Sequence, residues 1–198
     1  MLAELVISKK PLFIFLIETL CSRSKLESIE RQLNYNGLFV VERMGRSGGL
    51  ALLWKALNSV TLLKYANNFI DAEVEVPELG KWRLTGFYGF PKSSRRRESW
   101  DLLRLLAGSF ELPWVCIGDF NDLLAATEKR GRITHPNWKL MGFQSAIADC
   151  QLIDLGVLAI NLPGKGLEEP VSGSKKGLIK PLCLSHGYND SMTQMYIA

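Results

Sequence analysis

The chain has 198 residues, of which 47% are hydrophobic and 22% are charged, and its formal net charge is +4. These values are ordinary for a globular protein, and the length suffices for one good-sized domain, or for a domain and a tail. The small excess of lysine and arginine permits a polyanionic partner but does not require one. The four cysteines include no C-x-x-C pair and the two histidines are isolated, which argues against a zinc site.

The cysteine pattern and the N-terminal sequence indicate the compartment. Free thiols without a disulfide framework fit a reducing environment, so we expect a nuclear or cytoplasmic protein that is not secreted. The apolar run at residues 11–17 is too short to cross a bilayer, and no cleavage site for a signal peptide follows it. We therefore expect no membrane association, and nothing in the sequence points to an obligate protein partner.

The first half of the chain mixes helix and strand patterns. Residues 12–17 form a continuous apolar run, which is typical of a strand buried on both faces. Residues 24–34 carry apolar side chains at helical spacing behind Ser24, a candidate N-cap. Further patterns predict a short helix over 2–8 and strands over 48–54, 60–64, 69–76 and 82–88. In residues 69–76 acidic side chains alternate with apolar ones, which predicts one solvent-exposed face.

The second half begins with equally regular patterns and then loses them. Helices are predicted over 94–108 and 138–151, and a strand lies between them in residues 113–121, PWVCIGDFN. The mixture of helices, hairpins and strands indicates an α+β fold or a two-layer α/β sandwich rather than strict βαβ alternation. After residue 156 glycine, proline, serine and lysine recur without periodicity. We therefore predict a domain over 1–156 and a divergent, loop-rich or disordered tail over 157–198.

The PWVCIGDFN strand ends in two polar side chains. Asp119 and Asn121 are two residues apart, so in an extended strand they project to the same side. A carboxylate can orient or deprotonate a water, and an amide can donate to a developing negative oxygen, so this pair suits a hydrolytic site. The structural alternative is an Asx turn, because aspartate and asparagine often cap turns.

Several motifs in order resemble one known group of proteins. Residues 10–19 read KPLFIFLIET, residues 84–91 LTGFYGFP, residues 113–121 PWVCIGDFN and residues 149–156 DCQLIDLG. Together they resemble the endonuclease/exonuclease/phosphatase superfamily, and most closely the endonuclease domains of plant LINE-type (non-LTR) retrotransposons. The resemblance runs from about residue 4 to residue 156.

The resemblance implies a four-layer αββα sandwich like that of DNase I, and cleavage of DNA that depends on Mg²⁺ or Mn²⁺. Glu18 matches the glutamate that holds the metal, and Tyr88 matches the tyrosine whose hydroxyl contacts the scissile phosphate. Asp119 matches the aspartate that positions the attacking water, and Asn121 matches the asparagine that stabilises the transition state. As alternatives, Glu18 is an ordinary strand-end acid and Tyr88 a packed aromatic.

The sequence also departs from the family pattern. The resemblance implies an earlier strand bearing an asparagine, and nothing before residue 10 matches it. It also implies a Ser-Asp-His motif near the end, whereas the Ser185-His186 pair has no aspartate between its members. We therefore expect an incomplete sandwich with weak or no turnover, because catalytic groups that act as a unit are strongly non-additive.

A basic run follows Tyr88 and opens the helix predicted over 94–108. It can contact the phosphates of DNA, which would make binding salt-sensitive, through Lys92, Arg95, Arg96 and Arg97. Alternatively, it is a solvated helix start paired with nearby acids. We predict that Trp138 is a packing residue rather than a platform for a base.

Two other functions remain open at this point. The chain is a nucleic-acid-binding remnant without catalysis if it binds DNA in a salt-dependent way and does not cut it. It is a phosphoesterase for a small phosphate ester if it hydrolyses phosphomonoesters and leaves plasmid DNA intact, since the superfamily also includes phosphatases.

Overall fold

The helices and strands alternate along the chain as an α+β protein requires. The computed structural model describes residues 2–45, 48–55, 59–76, 80–109, 111–125, 136–154, 179–184 and 195–197. The helices are α1 (Leu2–Lys9), α2 (Arg23–Gln32), α3 (Arg96–Ala107) and α4 (Asn137–Asp149), and a single 3-10 turn, Ser93–Arg95, precedes α3. The strands are β1 (Phe13–Ile17), β2 (Gly37–Val41), β3 (Leu50–Trp54), β4 (Ser59–Ala66), β5 (Phe69–Val76), β6 (Gly80–Tyr88), β7 (Trp114–Asp119), β8 (Leu152–Asp154), β9 (Ile179–Leu184) and β10 (Met195–Ile197).

The strands form two sheets. The four-stranded sheet has the order β10-β1-β3-β2, and the six-stranded sheet has the order β4-β5-β6-β7-β9-β8. Most neighbours are antiparallel, but β6 and β7 are parallel and α3 connects them. Because parallel neighbours end at the same edge of a sheet, this crossover brings the last residues of β6 and β7 together.

Three hydrophobic clusters define four layers. One cluster lies between the two sheets and includes Phe15 and Val115. A second packs α3 and α4 on the outer face of the six-stranded sheet, with Leu103 and Phe143 at its centre. The third packs α1 and α2 on the outer face of the four-stranded sheet, around Leu26. The predicted DNase I-like αββα sandwich is therefore confirmed.

The apolar run that predicted β1 is explained by these layers. Phe13 and Phe15 point into the cluster between the sheets, whereas Ile14 and Leu16 point toward the helices. Side chains alternate between the two faces of a strand, so a strand covered on both faces must be apolar at every position.

Three sequence predictions need correction. The N-cap of α2 is Ser22, whose hydroxyl accepts a hydrogen bond from the backbone N–H of Lys25, and not Ser24. Strand β2 was not predicted.

Asp71 on β5 is buried rather than solvent-exposed, because Arg83 and Thr85 bind its carboxylate at 2.8 and 2.6 Å. Strands β9 and β10 lie within residues 157–198, and each pairs into a sheet. The loop-rich or disordered tail over these residues stays a prediction. The domain boundary at residue 156 stays a prediction.

Helix length bears on membrane association. None of the helices in the described ranges combines the length and the apolarity that a membrane crossing demands.

Candidate active site

The site is built where β6 and β7 end side by side. Tyr88 is the last residue of β6 and Asp119 the last residue of β7, and the two are register partners in the parallel ladder. The backbone N–H of Gly89 donates to the carbonyl oxygen of Asp119 at 2.7 Å, which extends the pairing one residue beyond the strands. Both side chains therefore leave the same edge of the six-stranded sheet.

Glycines permit this close approach of the two strand ends. Gly118 has a φ of +152°, and a Cβ placed there would lie 1.7 Å from the carbonyl oxygen of Phe87. A Cβ at Gly89 would lie 2.4 Å from the carbonyl oxygen of Phe120. The glycine of the GDFN motif is thus required by the backbone itself, because only a residue without a side chain fits.

Glu18 brings the other sheet to the same place. It follows β1 directly, and the Tyr88 hydroxyl donates a hydrogen bond to its Oε1. Burial raises the pKa of Tyr88 above its usual value, and the charge of Glu18 raises the pKa further. The tyrosine hydroxyl therefore stays protonated at neutral pH and acts as a donor.

Asp119 and Asn121 form the turn that the sequence left open, and they lie beside Gly89, which directly follows Tyr88. The backbone N–H of Asn121 donates to Asp119 Oδ1 at 2.7 Å, as in an Asx turn. Asn121 has a φ of +57°, a left-handed conformation that asparagine tolerates. Its Nδ2 donates to the carbonyl oxygen of Gly89 at 2.8 Å. The turn fixes both side chains beside Tyr88, so the two interpretations are compatible.

The pKa of the Asp119 carboxyl is raised above its ordinary value. Desolvation by burial is the largest cause of the raised pKa, and the nearby charge of Glu18 adds to it. The hydrogen bond from Asn121 and the guanidinium of Arg96 act in the opposite direction. A carboxylate that holds a proton more firmly than usual is a better proton acceptor when it is ionised.

Arg96 belongs to the basic run, for which surface contacts with DNA were predicted, but its side chain turns inward. Its side chain is only 11% exposed, and it donates to the carbonyl oxygens of Phe90 and Pro91 at 2.8 and 3.1 Å. Its Nε lies 3.8 Å from Asp122 Oδ1. Arg96 therefore ties the segment after Tyr88 to the segment after Asp119. Sequence reasoning missed this bridge, because a residue that binds backbone carbonyls leaves no pattern.

The other three cations of the run remain at the surface. Arg95 forms a bidentate pair with Glu98 and stacks its guanidinium 3.7 Å from the centre of the Phe90 ring. Lys92 is exposed, and Arg97 lies over the ring of Trp138. Their predicted contacts with DNA phosphates stay a prediction.

A cavity of about 510 Å³ opens beside the Tyr88–Glu18 pair. Its lining includes Lys92 and Arg95 on one side and Asn68, in the turn between β4 and β5, on another. The Asn68 Nδ2 atom is buried and has no hydrogen-bond partner among the described residues. An unpaired buried amide is costly, so Asn68 is a candidate ligand contact that the sequence did not indicate.

Most of the chain matches a known protein family. A family model described as the endonuclease/exonuclease/phosphatase family matches residues 1–172. The chain belongs to this family. No curated protein sequence matches the chain at a significant level. The resemblance that the motifs carried is therefore confirmed at the level of the family.

Several solved structures share the fold of this chain. The catalytic domain of human Nocturnin with bound sulfate has a TM-score of 0.60 and 16% identity, covering 93% of this chain and 73% of that one. A mannosyl-6-phosphatase from Bacteroides thetaiotaomicron has a TM-score of 0.60 and 14% identity, with coverages of 93% and 75%. The endonuclease domain of TRAS1, a telomere-specific non-LTR retrotransposon, has a TM-score of 0.52 and 11% identity, with coverages of 88% and 86%. At these identities the likeness concerns the fold alone.

Members of this family typically use divalent metals, and the site offers suitable ligands. Within the described ranges no cluster of three or more acidic, histidine or cysteine side chains could hold an ion. Magnesium prefers oxygen ligands and retains several waters, so one or two carboxylates suffice. Glu18 supplies one. Burial is the main cause of the raised pKa of Asp119, and the negative charge of Glu18, which adds to it, is one that a bound cation would offset. The residues present therefore fit a hard divalent cation.

Proposed function

We propose that this chain is a divalent-metal-dependent endonuclease domain that hydrolyses phosphodiesters in DNA, of the type carried by plant LINE-type retrotransposons. The proposal rests on one observation above all. The hydrogen bond from Tyr88 to Glu18 joins the two sheets at the edge where Asp119 and Asn121 also emerge. A carboxylate, a second acid, an amide and a phenol at one edge match the chemistry that phosphodiester cleavage requires.

Each group has a role that its environment favours. Asp119 accepts a proton from the attacking water, which its raised pKa supports. One N–H of Asn121 holds Gly89, and the amide can donate the other to a phosphoryl oxygen that gains negative charge. The Tyr88 hydroxyl is a further donor at the same edge. Glu18 would hold Mg²⁺ or Mn²⁺, which would neutralise the charge that develops on the phosphate.

The cations near the cavity support DNA as the substrate. Lys92 and Arg95 line the cavity from the segment that follows Tyr88, and DNA binding depends on such contacts with phosphates. Glu98 partly neutralises Arg95, so Lys92 carries the larger share of the attraction in this proposal.

Nicking of supercoiled plasmid tests the proposed function. We expect nicking with Mg²⁺ or Mn²⁺ that chelation abolishes and that Asp119→Asn removes. The matched control is Asp101→Asn, which neutralises an exposed acid on α3 outside the site. Nicking that survives Asp119→Asn, or that needs no metal, contradicts the proposal. The expectation that turnover is weak stays a prediction, and the same assay measures it.

The cavity beside Tyr88 favours a second candidate function. Its volume lies within the range of small-ligand pockets, about 300–1,000 Å³. A phosphoesterase for a small phosphate ester would bind its substrate there. Hydrolysis of phosphomonoesters by wild type, with intact plasmid and dependence on Asp119, would select this function. Salt-dependent DNA binding without any hydrolysis would instead select a non-catalytic binding remnant.

A further inference from the structure

An exposed aromatic ring with two cations lies near the start of α4. Trp138 is 47% exposed, although its size and sequence context predicted a packing residue. The guanidinium of Arg97 lies 5.8 Å from the centre of its ring, and the ammonium group of Lys139 lies 5.7 Å from it. We call Arg97, Trp138 and Lys139 the Trp138 patch.

The Trp138 patch is connected to the candidate active site through two side chains. The ring of Trp138 packs edge-on against Trp100, with 6.1 Å between the ring centres. Trp100 Nε1 donates at 2.9 Å to Oδ2 of Asp122, which directly follows Asn121. The patch thus lies on the α3–α4 side of the site. The cavity is lined by the segment that follows β6 and by the segments that follow β2 and β4, and none of the three residues of the patch lines it.

The two cations of the patch, Arg97 and Lys139, are not neutralised by the neighbouring acids of α3. The two neighbouring acids of α3 are already paired, Glu98 with Arg95 and Asp101 with Arg104. Within the described ranges no carboxylate forms an ion pair with Arg97 or Lys139. The charge of Lys139 does interact electrostatically with the carboxylate of Asp122, but this carboxylate is buried beneath Trp100. An anionic ligand at the surface would therefore meet two cations and one exposed ring.

We propose that the Trp138 patch binds an unpaired stretch of the nucleic-acid substrate beside the site of cleavage. A base stacks on Trp138, and the flanking phosphates pair with Arg97 and Lys139. Every base has a π-face, so a tryptophan surrounded by cations is the chemistry that recognises single strands without sequence preference. A base inside a duplex is stacked on its neighbours and cannot lie on the ring. This inference rests on the proposed function for its substrate class and adds a preference for unpaired nucleotides.

Exposed apolar area alone does not explain the patch. Met141 lies one turn further along α4 and is 66% exposed, but its side chain has no ring on which a base could stack. If the surface served only to cover apolar side chains, Met141 and Trp138 would contribute alike. A comparison of the two positions therefore separates stacking from hydrophobic burial.

Binding of labelled oligothymidylate, measured by fluorescence anisotropy without divalent metal, tests the proposal. We expect Trp138→Ala to weaken binding by about 5-fold to 150-fold, the range measured for stacked bases. Trp138→Phe keeps a ring and should retain most of the affinity, which also guards against a folding defect in the alanine variant. Met141→Ala should change affinity by no more than about 2-fold.

The two cations are tested through salt. Each contact with a phosphate of a single strand contributes about 0.7 to the slope of log affinity against log salt concentration. The double variant Arg97→Gln, Lys139→Gln should therefore reduce that slope by about 1.4. The control is Arg23→Gln, which removes an exposed cation from α2.

Three results overturn the inference. The first is wild-type affinity in Trp138→Ala, and the second is an equal loss of affinity in Met141→Ala. The third is a loss that is as large for a blunt duplex as for the single strand, because stacking on an unpaired base would then be wrong. Failure of the proposed function looks different: wild type would bind the oligonucleotide through Trp138 and yet cut no plasmid with any divalent metal.

Discussion

Two residues at the site have a left-handed backbone that non-glycine residues rarely adopt. Glu18 has a φ of +53° and Asn121 a φ of +57°. Such conformations cost on the order of 1–3 kcal/mol and persist where the surroundings determine them. At Glu18 the next residue is fixed by a hydrogen bond from Thr19 N–H to the carbonyl oxygen of Gly49 at 3.1 Å. The fold therefore holds both side chains in position before any ligand binds.

Tyr88→Phe removes the hydroxyl that bonds to Glu18 and keeps the ring. If the hydroxyl stabilises the transition state, we expect kcat for DNA cleavage to fall by about 10²-fold to 10³-fold, as for other oriented donors. Steady-state or single-turnover nicking measures this effect. Tyr65→Phe, which changes an exposed tyrosine on β4, is the control and should leave kcat unchanged. Equal rates in wild type and Tyr88→Phe would remove Tyr88 from the mechanism.

Arg96→Gln tests the bridge between the two strand-end segments. The guanidinium lowers the pKa of Asp119, so its removal should raise that pKa further. Asp119 must be ionised to accept a proton, so the acidic limb of the kcat/KM profile should move to higher pH. Arg104→Gln removes a half-exposed cation from the same helix and should leave the limb in place. A profile that does not move shows that Arg96 has only a structural role.

At the scale of single residues, the sequence indicated the motif members but not the groups that hold them. Asp119 and Asn121 share a strand end, and period-2 spacing puts them on one side. Arg96, Asn68 and Asp122 gain their positions only when distant segments meet, as when Arg96 reaches the carbonyl oxygen of Phe90. Their roles, and those of the motif residues, stay predictions until activity is measured.

At the scale of elements, the parallel pairing of β6 and β7 is what aligns Tyr88 with Asp119. This pairing depends on Gly118, where the strands approach too closely for a Cβ. The register places Tyr88 opposite Asp119 and Gly118 opposite Phe87. A shift of one residue would turn the side chains of β7 to the opposite face.

Gly118→Ala should therefore destabilise the whole domain. We expect the free energy of unfolding to fall by at least about 2 kcal/mol, because the substitution adds a clash and a strained φ. Gly108→Ala at the end of α3 is the matched control, since its φ is −77° and the nearest atom to a new Cβ is 3.8 Å away. Urea unfolding compares the two variants. Similar midpoints for both would contradict the close approach.

The elements that the sequence failed to predict have physical explanations. Strand β9 contains Pro181 within IKPLCL, and proline cannot donate to a ladder, which argues against a central strand. Even so, β9 lies between β7 and β8 in the sheet, and Pro181 pairs with Ile117 of β7. Strand β10 is only three residues long and depends on β1 for its pairing. Long-range pairing of this kind leaves no local signal in hydrophobic periodicity.

At the scale of the whole molecule, metal binding should couple the two sheets. Glu18 follows a strand of one sheet and accepts a hydrogen bond from Tyr88, which ends a strand of the other, so a cation held by Glu18 would stabilise the folded state. At 100 times its dissociation constant a ligand adds about 2.7 kcal/mol, which corresponds to a rise in Tm of about 5–10 °C for a chain of this size.

Thermal unfolding with and without Mg²⁺ measures this rise, and Glu18→Gln should abolish it. Glu42→Gln, which changes another acid at the same cavity, should leave most of it intact. A rise that survives Glu18→Gln and disappears in Glu42→Gln would place the ion on a different ligand.

The sequence by itself determined the mixed α and β character and most of the local elements, and its resemblance to a family implied the four layers. An apolar run such as FIFLI can be stable only where both faces of a strand are covered, and helical spacing decides which faces of α2 and α3 are buried. The order of its motifs was also enough to indicate the family that the family model confirms. Only the tertiary structure decided that Arg96 turns inward, that Asp71 is buried on Arg83, and that Trp138 stays exposed beside two cations. These outcomes depend on contacts between side chains of elements that are far apart in the chain, and local sequence patterns do not specify such tertiary contacts.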